Sequence, residues 1–325
     1  MTFIRSFFFM ALLTLAQTGE ALAMVYQPFI KTSFLNLKED LAEAKQAKRG
    51  LMVIYEQEGC PYCAQMHKVN FSDRETVDLI TKNFDVVQMD TLGSRMVVDL
   101  DGKAMTEKQL AEKLRVQYVP LVGFFGPDGK EVFRLPGYFQ QPDMFRAGLT
   151  YVIEKQYDNV PFSEYAAKRA PQTLTKGLID EPFFSREDDF GTLLARAAKG
   201  NKGVALVFEQ AVCAGCAELH EKKFRNAALS KALTNQFEVA RLDIWGKRAI
   251  KDFRNQASSD SLLAKSLNIR YTPTIVFFDR RGTEILRLES YLTPEHFGDL
   301  ITYATTDARK RYASFQEYLG YLGQR

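Results

Sequence analysis

The sequence predicts an α/β protein with two tandem domains, each a mixed central sheet flanked by helices. Three observations support this prediction. A short cassette occurs twice, as EQEGCPYCAQMH from Glu56 and as EQAVCAGCAELH from Glu209, at an offset of 153 residues. The same order of apolar and amphipathic segments surrounds both copies. About 300 residues follow the N-terminal apolar segment, which suits two domains of ordinary size better than one large core.

In the first copy, the apolar run LMVIYE predicts a buried central strand, and the cassette after it predicts a helix. SDRE at Ser72 resembles a capping box for a further helix, which the strand FDVVQMD follows. TEKQLAEKL from Thr106 predicts a capped amphipathic helix. The strands VPLVGFF and EVFRL are separated by the turn GPDG, and a final helix lies beyond Pro142. The predicted order is therefore β-α-β-α-β-β-α.

The second copy repeats this order. Its strands are VALVFE, TPTIVFF and EILRL, its capped helix is SDSLLAKSL after Ser259, and its final helix lies beyond Pro294. We expect domain 1 at residues 24–165, a linker at 166–182 and domain 2 at 183–325. Two copies of about 135 residues can each hold a core, so the pattern indicates tandem domains rather than a solenoid.

Residues 1–23 have the features of a signal peptide. Arg5 is followed by an apolar run of about ten residues, and Ala21-Leu22-Ala23 matches an A-x-A cleavage site. A run of this length is short for a membrane anchor, although an uncleaved anchor stays an alternative. We therefore expect an exported protein located in the periplasm, a compartment that oxidises thiols.

Composition and charge exclude a nucleic-acid-binding role. The formal net charge is +3, and it is spread along the chain without a block of basic residues. The hydrophobic fraction of 46% is that of a globular protein.

All four cysteines lie in the two C-x-x-C cassettes. A disulfide between residues three apart closes almost no loop, so it stabilises the fold little and indicates redox chemistry instead. A zinc site would need the two pairs close along the chain, and haem attachment would need a histidine after the second cysteine. The cysteines themselves would carry the electrons, so we expect no metal and no other cofactor.

The sequence resembles the thioredoxin fold in three respects: the order of elements, a C-x-x-C motif that opens the first helix, and an X-Pro before the third strand. Domain 2 is similar to SoxW-type periplasmic thioredoxins in three motifs: FEQ before the cysteines, LDIWG and YTPTIVFFD. Domain 1 matches less closely, because it has Leu92 where Trp245 stands and Val119 where Thr272 stands. The resemblance implies that Pro120 and Pro273 are cis. It also implies that the turns formed by Val119-Pro120 and Thr272-Pro273 lie beside the cysteines and pair with a bound substrate strand.

Cys60 and Cys213 are the predicted nucleophiles, because a helix N-terminus directs backbone N–H groups at a sulfur in this position. Cys63 and Cys216, one turn further on, would resolve the mixed disulfide.

Other side chains near the cysteines have two interpretations each. Glu56 and Glu209 end an apolar strand, so each is either a partly buried proton acceptor for the second cysteine or a solvated strand-end carboxylate. His67 and His220 lie four residues after the second cysteine, where they either tune that thiol or pack against the sheet.

The resemblance implies a reductase that acts on protein thiols and disulfides. It would receive electrons from a membrane thiol transporter of the CcdA/DsbD type and reduce disulfides or persulfides on sulfur-oxidation or cytochrome-maturation proteins. The alternatives are a disulfide isomerase or oxidase for exported proteins, and a scaffold that binds extended segments without turnover. Whether the two pairs relay electrons or act independently, and whether the protein oligomerises, stay open.

Overall fold

A computed structural model describes residues 24–137, 139, 142–169, 177–211 and 213–323. It confirms the predicted fold class: two tandem α/β domains, each with a four-stranded mixed sheet flanked by helices. The predicted signal peptide at residues 1–23 lies outside the described residues, as do positions 170–176 of the predicted linker. Within the described part of the chain, no helix has the length and apolar character needed to cross a membrane.

Domain 1 contains the following elements: α1 (Leu37–Gln46), β1 (Gly50–Glu56), α2 (Pro61–Val69), α3 (Arg74–Asn83), β2 (Phe84–Asp90), β3 (Met96–Val98), β4 (Ala104–Thr106), α4 (Glu107–Lys113), β5 (Leu121–Phe125), β6 (Glu131–Pro136), α5 (Pro142–Ile153), a 3-10 turn (Gln156–Asp158) and α6 (Phe162–Ala167).

Domain 2 contains the following elements: α7 (Phe190–Lys199), β7 (Gly203–Glu209), α8 (Ala214–Leu219), a π-helix that continues it (His220–Phe224), α9 (Ala227–Gln236), β8 (Phe237–Asp243), β9 (Ala249–Lys251), β10 (Ala257–Ser259), α10 (Asp260–Ser266), β11 (Thr274–Phe278), β12 (Glu284–Leu288), α11 (Pro294–Thr305), α12 (Ala308–Arg311) and α13 (Phe315–Gly323).

The two sheets have the same topology. Their strand orders are β2-β1-β5-β6 and β8-β7-β11-β12. The first strand of each domain, β1 or β7, is parallel to one neighbour (β2 or β8) and antiparallel to the other (β5 or β11). Helices cover both faces, so every residue of β7 is buried, as are the last six residues of β1. This burial on two sides is why these strands are continuous apolar runs without alternation.

Two features of each domain differ from the order of elements that the sequence predicts. Helix α1, capped by Asn36, precedes the first strand, and α7, capped by Asp189, does so in domain 2. The segment between the second strand and the next helix forms a short hairpin, β3–β4 in one domain and β9–β10 in the other. Each hairpin also pairs with the residue that caps the first helix, Val98 with Asn36 and Lys251 with Asp189.

The helix caps agree with the sequence at two positions and differ at one. Thr106 and Gln109 form a reciprocal capping box, and Ser259 caps α10. The expected cap at Ser72 is wrong, because Asp73 caps α3 by accepting from the Thr76 N–H. The Ser72 hydroxyl donates to the Lys68 carbonyl instead, and the charge of the Asp73 carboxylate is favourable at the positive end of the helix dipole.

The domains pack against each other through equivalent residues. Tyr271 of domain 2 packs among domain 1 aromatics, with its ring 5.5 Å from that of Phe162. Its counterpart Tyr118 accepts from the backbone N–H of Glu289 at 3.0 Å. Gly137 and Ser290, also 153 apart, meet so closely that a Cβ atom on Gly137 would lie 2.7 Å from that of Ser290. The interface is therefore built around an approximate twofold axis.

Candidate active site

Each cysteine pair lies where its first helix begins. Cys60 caps α2, and its Sγ accepts the backbone N–H of Cys63 at 3.2 Å. Cys213 caps α8, and its Sγ accepts the N–H of Cys216 at 3.0 Å. All four cysteines are buried and form two disulfides, with Cα atoms 5.3 Å apart in domain 1 and 5.2 Å in domain 2. After reduction, the same N–H groups would stabilise a thiolate on the first cysteine of each pair.

The proline turns lie beside the sulfurs. The Val119–Pro120 and Thr272–Pro273 bonds are cis. In domain 1 the Cys60 Sγ lies 4.0 Å from the Val119 carbonyl oxygen. In domain 2 the contact involves Gly215, where a Cβ atom would lie 3.0 Å from the Pro273 ring. The fold thus brings the predicted docking turns and the cysteine pairs together.

A buried carboxylate and imidazole pair stands behind the domain 1 cysteines. Glu56, 1% exposed, accepts from the Nε2–H of His67 at 2.8 Å and also from the amide of Gln88. The amide of Gln27 donates to the other ring nitrogen of His67 at 3.1 Å. Glu56 is therefore a buried, fully partnered group, which excludes the solvated strand-end interpretation. His67 packs at the sheet and is hydrogen-bonded there.

A cavity joins this pair to the sulfurs. Its volume is about 40 Å³, and its lining includes Glu56, His67, Cys60 and Cys63. A polar space of this size has room for water between the carboxylate and the second cysteine. The sequence placed Glu56 and His67 near this thiol, and the cavity supplies the physical connection between them.

Domain 2 has the same pair with one additional charge. His220 contacts Glu209 through Nε2 at 2.9 Å and Glu181 through Nδ1 at 2.8 Å, and all three side chains are buried. Burial lowers the pKa of His220, but the hydrogen bonds and charges of Glu209 and Glu181 outweigh burial and raise it above the usual value. Glu181 also lies 3.7 Å from Nε of Arg225.

Gln27 and Glu181 were not predicted from the sequence, although a signal for them exists. Each precedes a Pro-Phe dipeptide, Pro28-Phe29 or Pro182-Phe183, and each contacts Nδ1 of the histidine in its domain. The repeat therefore differs at an equivalent position, with a neutral amide in one domain and a carboxylate in the other.

The surroundings of the two cysteine pairs differ in their contacts with the other domain. The Tyr62 hydroxyl accepts from the Thr293 N–H at 2.9 Å and donates to Nδ1 of His296 at 2.7 Å, so domain 2 contacts the CPYC motif. Trp245 lies at the rim of the second site, 44% exposed, and its Nε1–H donates to Gln210 at 2.9 Å.

In the described residues, no group of three or more His, Cys, Asp or Glu side chains is arranged to hold a metal ion.

The chain belongs to the thioredoxin-like domain family, whose model matches residues 37–153 and again residues 190–305. No curated protein matches the chain. Solved structures similar to this chain include a thioredoxin-fold protein from Helicobacter pylori, at 22% identity and a TM-score of 0.33, covering 38% of this chain and 80% of that one.

Two further similar structures are a thioredoxin from Thermus thermophilus and a disulphide isomerase from Xylella fastidiosa Temecula1. The thioredoxin has 29% identity and a TM-score of 0.31, with 37% of this chain and 85% of that chain covered. The isomerase has 18% identity and a TM-score of 0.26, with 46% of this chain and 98% of that chain covered. The family match, with a C-x-x-C pair in each domain, supports the coarse assignment of a thiol–disulfide oxidoreductase.

Proposed function

We propose that the protein is an exported thiol–disulfide oxidoreductase that reduces disulfides or persulfides of periplasmic partner proteins. The observation that carries this proposal is the position of Cys60 and Cys213, each capping a helix and accepting a backbone N–H at its sulfur. The thiolate is the reactive form of cysteine, and these N–H groups favour it. Membership of the thioredoxin-like family supports the same chemistry.

The reaction with a disulfide starts from the reduced pair. The thiolate of Cys213 attacks one substrate sulfur, so a mixed disulfide forms, and the other substrate sulfur leaves as a thiolate that takes up a proton. Cys216 then loses its proton and attacks Sγ of Cys213, which releases the second substrate sulfur. Two electrons have passed to the substrate, whose two sulfurs take up one proton that came from Cys216 and one proton from the solvent. The protein is left with the intramolecular disulfide. Cys60 and Cys63 would carry out the same steps on a disulfide that reaches them.

The buried glutamates supply the base for the second step. Cys63 and Cys216 must lose a proton before they attack, and a buried carboxylate can accept it. In domain 1, Glu56 lines the same cavity as Cys63, which gives the proton a short path through water.

The direction of electron flow is proposed from the sequence. The dipeptides Pro61-Tyr62 and Ala214-Gly215 carry no histidine or other cation, which favours a reductant or an isomerase over an oxidase. The resemblance to SoxW-type thioredoxins supports a CcdA/DsbD-type membrane transporter as electron donor and sulfur-oxidation or cytochrome-maturation proteins as acceptors. The predicted signal peptide supports a periplasmic location.

Insulin reduction with dithiothreitol as electron source tests the proposal. The wild type is expected to reduce insulin, and the Cys60→Ser/Cys213→Ser variant is expected to be inactive. We expect reduction potentials nearer to about −270 mV than to about −120 mV for both pairs. Peptide binding that is unchanged in the double variant, with no insulin reduction by the wild type, would favour a binding scaffold. Reactivation of scrambled ribonuclease without insulin reduction would favour an isomerase.

A further inference from the structure

We propose that domain 2 alone receives protein disulfides, because the chain's own helix α13 covers the equivalent surface of domain 1. The inference rests on the proposed function and assigns its substrate to one of the two centres. The docking surface of each domain consists of four equivalent positions around the cysteines. In domain 1 they are Gln57, Tyr62, Leu92 and Val119, and in domain 2 they are Gln210, Gly215, Trp245 and Thr272.

Helix α13 binds the backbone group that a substrate strand would need. The side-chain oxygen of Gln316 accepts the Val119 N–H at 3.3 Å, and the Gln316 amide donates to Gln57 at 2.7 Å. The Gln316 backbone N–H also donates to the Gln117 carbonyl at 2.9 Å. Gln316 is only 8% exposed, so this contact lies inside the interface. An incoming strand would have to displace it before pairing with Val119.

Other parts of domain 2 cover the remaining positions. The Gly320 backbone passes close to Leu92 and Gln57, since a Cβ atom there would lie 3.9 Å and 3.5 Å from them. Tyr62, 9% exposed, is held through its hydroxyl by the start of α11. An ion pair of 2.7 Å between Lys108 and Glu317 fixes α13 at its outer edge. Segments of domain 2 therefore contact all four positions of the domain 1 surface, where Tyr62 and Val119 are buried and Gln57 and Leu92 are half-buried.

The domain 2 surface is more open at three of the four equivalent positions, and Gln210 is half-buried like Gln57. Gly215 and Trp245 are exposed, whereas Tyr62 is buried and Leu92 is half-buried. Thr272 and Pro273 are half-buried, whereas the corresponding Val119 and Pro120 are buried. Among the described residues, no group accepts the Thr272 backbone N–H. Cys60 and Cys213 are buried to the same extent, at 7% and 6% exposed, so the difference lies in the surrounding surface.

The reason for the asymmetry is visible in the two equivalent helices. Helix α6 of domain 1 corresponds to α13, but it has six residues where α13 has nine. Ser163 stands where Gln316 does, and its short side chain carries no amide to bridge a backbone N–H and a second side chain.

The occupant that fits the domain 2 surface is an extended segment of a partner protein that carries a disulfide. The Thr272 backbone N–H can donate to a substrate strand the hydrogen bond that the Val119 N–H donates to Gln316 in domain 1. The Trp245 indole, oriented by Gln210, offers a large apolar face, and such aromatic side chains dominate the energy of protein interfaces. A small disulfide needs neither feature, so it should not distinguish the two domains.

Two single-centre variants test the inference. Cys60→Ser/Cys63→Ser retains only the domain 2 pair, and Cys213→Ser/Cys216→Ser retains only the domain 1 pair. With dithiothreitol as electron source, the domain 1 centre is expected to reduce insulin at least about tenfold more slowly, because a buried hydrogen bond of α13 must break first. Both centres are expected to reduce 2-hydroxyethyl disulfide at similar rates.

A matched pair of substitutions tests the part played by α13. Gln316→Ala in the domain 1 variant is expected to raise its insulin rate severalfold, and Ser163→Ala in the domain 2 variant is expected to change nothing. Trapping provides a second measurement: Cys216→Ser is expected to accumulate a mixed disulfide with a cystine-containing peptide, and Cys63→Ser is expected to accumulate little.

The outcomes separate the inference from the proposed function. Equal insulin rates for the two single-centre variants, or equal trapping by Cys63→Ser and Cys216→Ser, would overturn the inference and leave the oxidoreductase function intact. Folded variants that reduce neither insulin nor the small disulfide would overturn both.

Discussion

The carboxylate of Glu181 lies 2.8 Å from Nδ1 of His220, and both side chains are buried. Domain 1 has the neutral amide of Gln27 at the equivalent position, 3.1 Å from Nδ1 of His67. His220 also contacts Glu209, so its ring lies between two carboxylates. One residue of the repeat therefore gives the histidine of domain 2 a second carboxylate partner, which the histidine of domain 1 lacks.

The Glu181→Gln substitution is expected to lower the pKa of His220, because it removes a charge that raises it. Since that pKa is raised in the folded state, the protonated ring stabilises the fold fully below the unfolded value of about 6.5, and this contribution is lost as the pH rises through the folded value. The variant should thus lose about 1 kcal/mol of unfolding free energy at low pH and less at high pH.

Titration of the histidine ring signals by NMR, with urea unfolding at several pH values, checks this prediction. Asp180→Asn is the control, because Asp180 pairs with Arg186 and Arg241 rather than with His220. An unchanged His220 titration in Glu181→Gln would contradict the account.

Glu209→Gln is expected to slow the resolution step of domain 2 about a hundredfold at neutral pH, because Cys216 loses its proton acceptor. Trp245 is the only tryptophan of the chain and lies beside the strand end that leads to Cys213, so stopped-flow fluorescence can follow this centre alone. The Cys60→Ser/Cys63→Ser background removes the other pair. The exposed Glu221, changed to Gln, is the control. Equal rates in the two variants would discard the base role.

Lys223 is a buried cation, and its substitution should stabilise the protein. Burial lowers its pKa to about 8, although the charge of Glu218 opposes this, and its ammonium lies 4.3 Å from the centre of the Tyr291 ring. Because the folded-state pKa lies below the unfolded value, stability rises as the pH increases from about 8 to about 10.5.

Lys223→Met is therefore expected to raise the unfolding free energy by about 1 kcal/mol at pH 7, after allowance for solvent screening, and to flatten its dependence on alkaline pH. Urea unfolding at neutral and alkaline pH measures both effects. Lys222→Met is the control at an exposed neighbour. A variant that is less stable at neutral pH would show that the ring contact outweighs the burial of the charge.

The sequence predicted those parts of the fold that depend on local patterns. Apolar runs predicted the buried strands β1 and β7, and capping patterns predicted the helices after Thr106 and Ser259. The C-x-x-C spacing predicted the two cysteine pairs that open helices. The β3–β4 and β9–β10 hairpins were missed because their strands have only three residues each.

The features that distinguish the two centres could not be predicted in this way. Gln316 contacts Val119 across 197 positions of the chain, and Tyr62 contacts His296 across 234. Such contacts depend on how the two domains pack, which no local pattern encodes. A comparison of the two copies could have matched Gln27 with Glu181. Their contact with the histidine could not be predicted, because it depends on where the ring lies in the folded domain.

The central claim is that Cys60 and Cys213 become stabilised thiolates once reduced, and the pH dependence of their alkylation tests it most directly. Iodoacetamide labelling of the reduced protein, read by peptide mass spectrometry, gives a rate for each cysteine. The account predicts that Cys60 and Cys213 react at neutral pH with pKa values well below the ordinary thiol value of about 8.5, while Cys63 and Cys216 react slowly. Four cysteines that all remain protonated and unreactive until alkaline pH would contradict it.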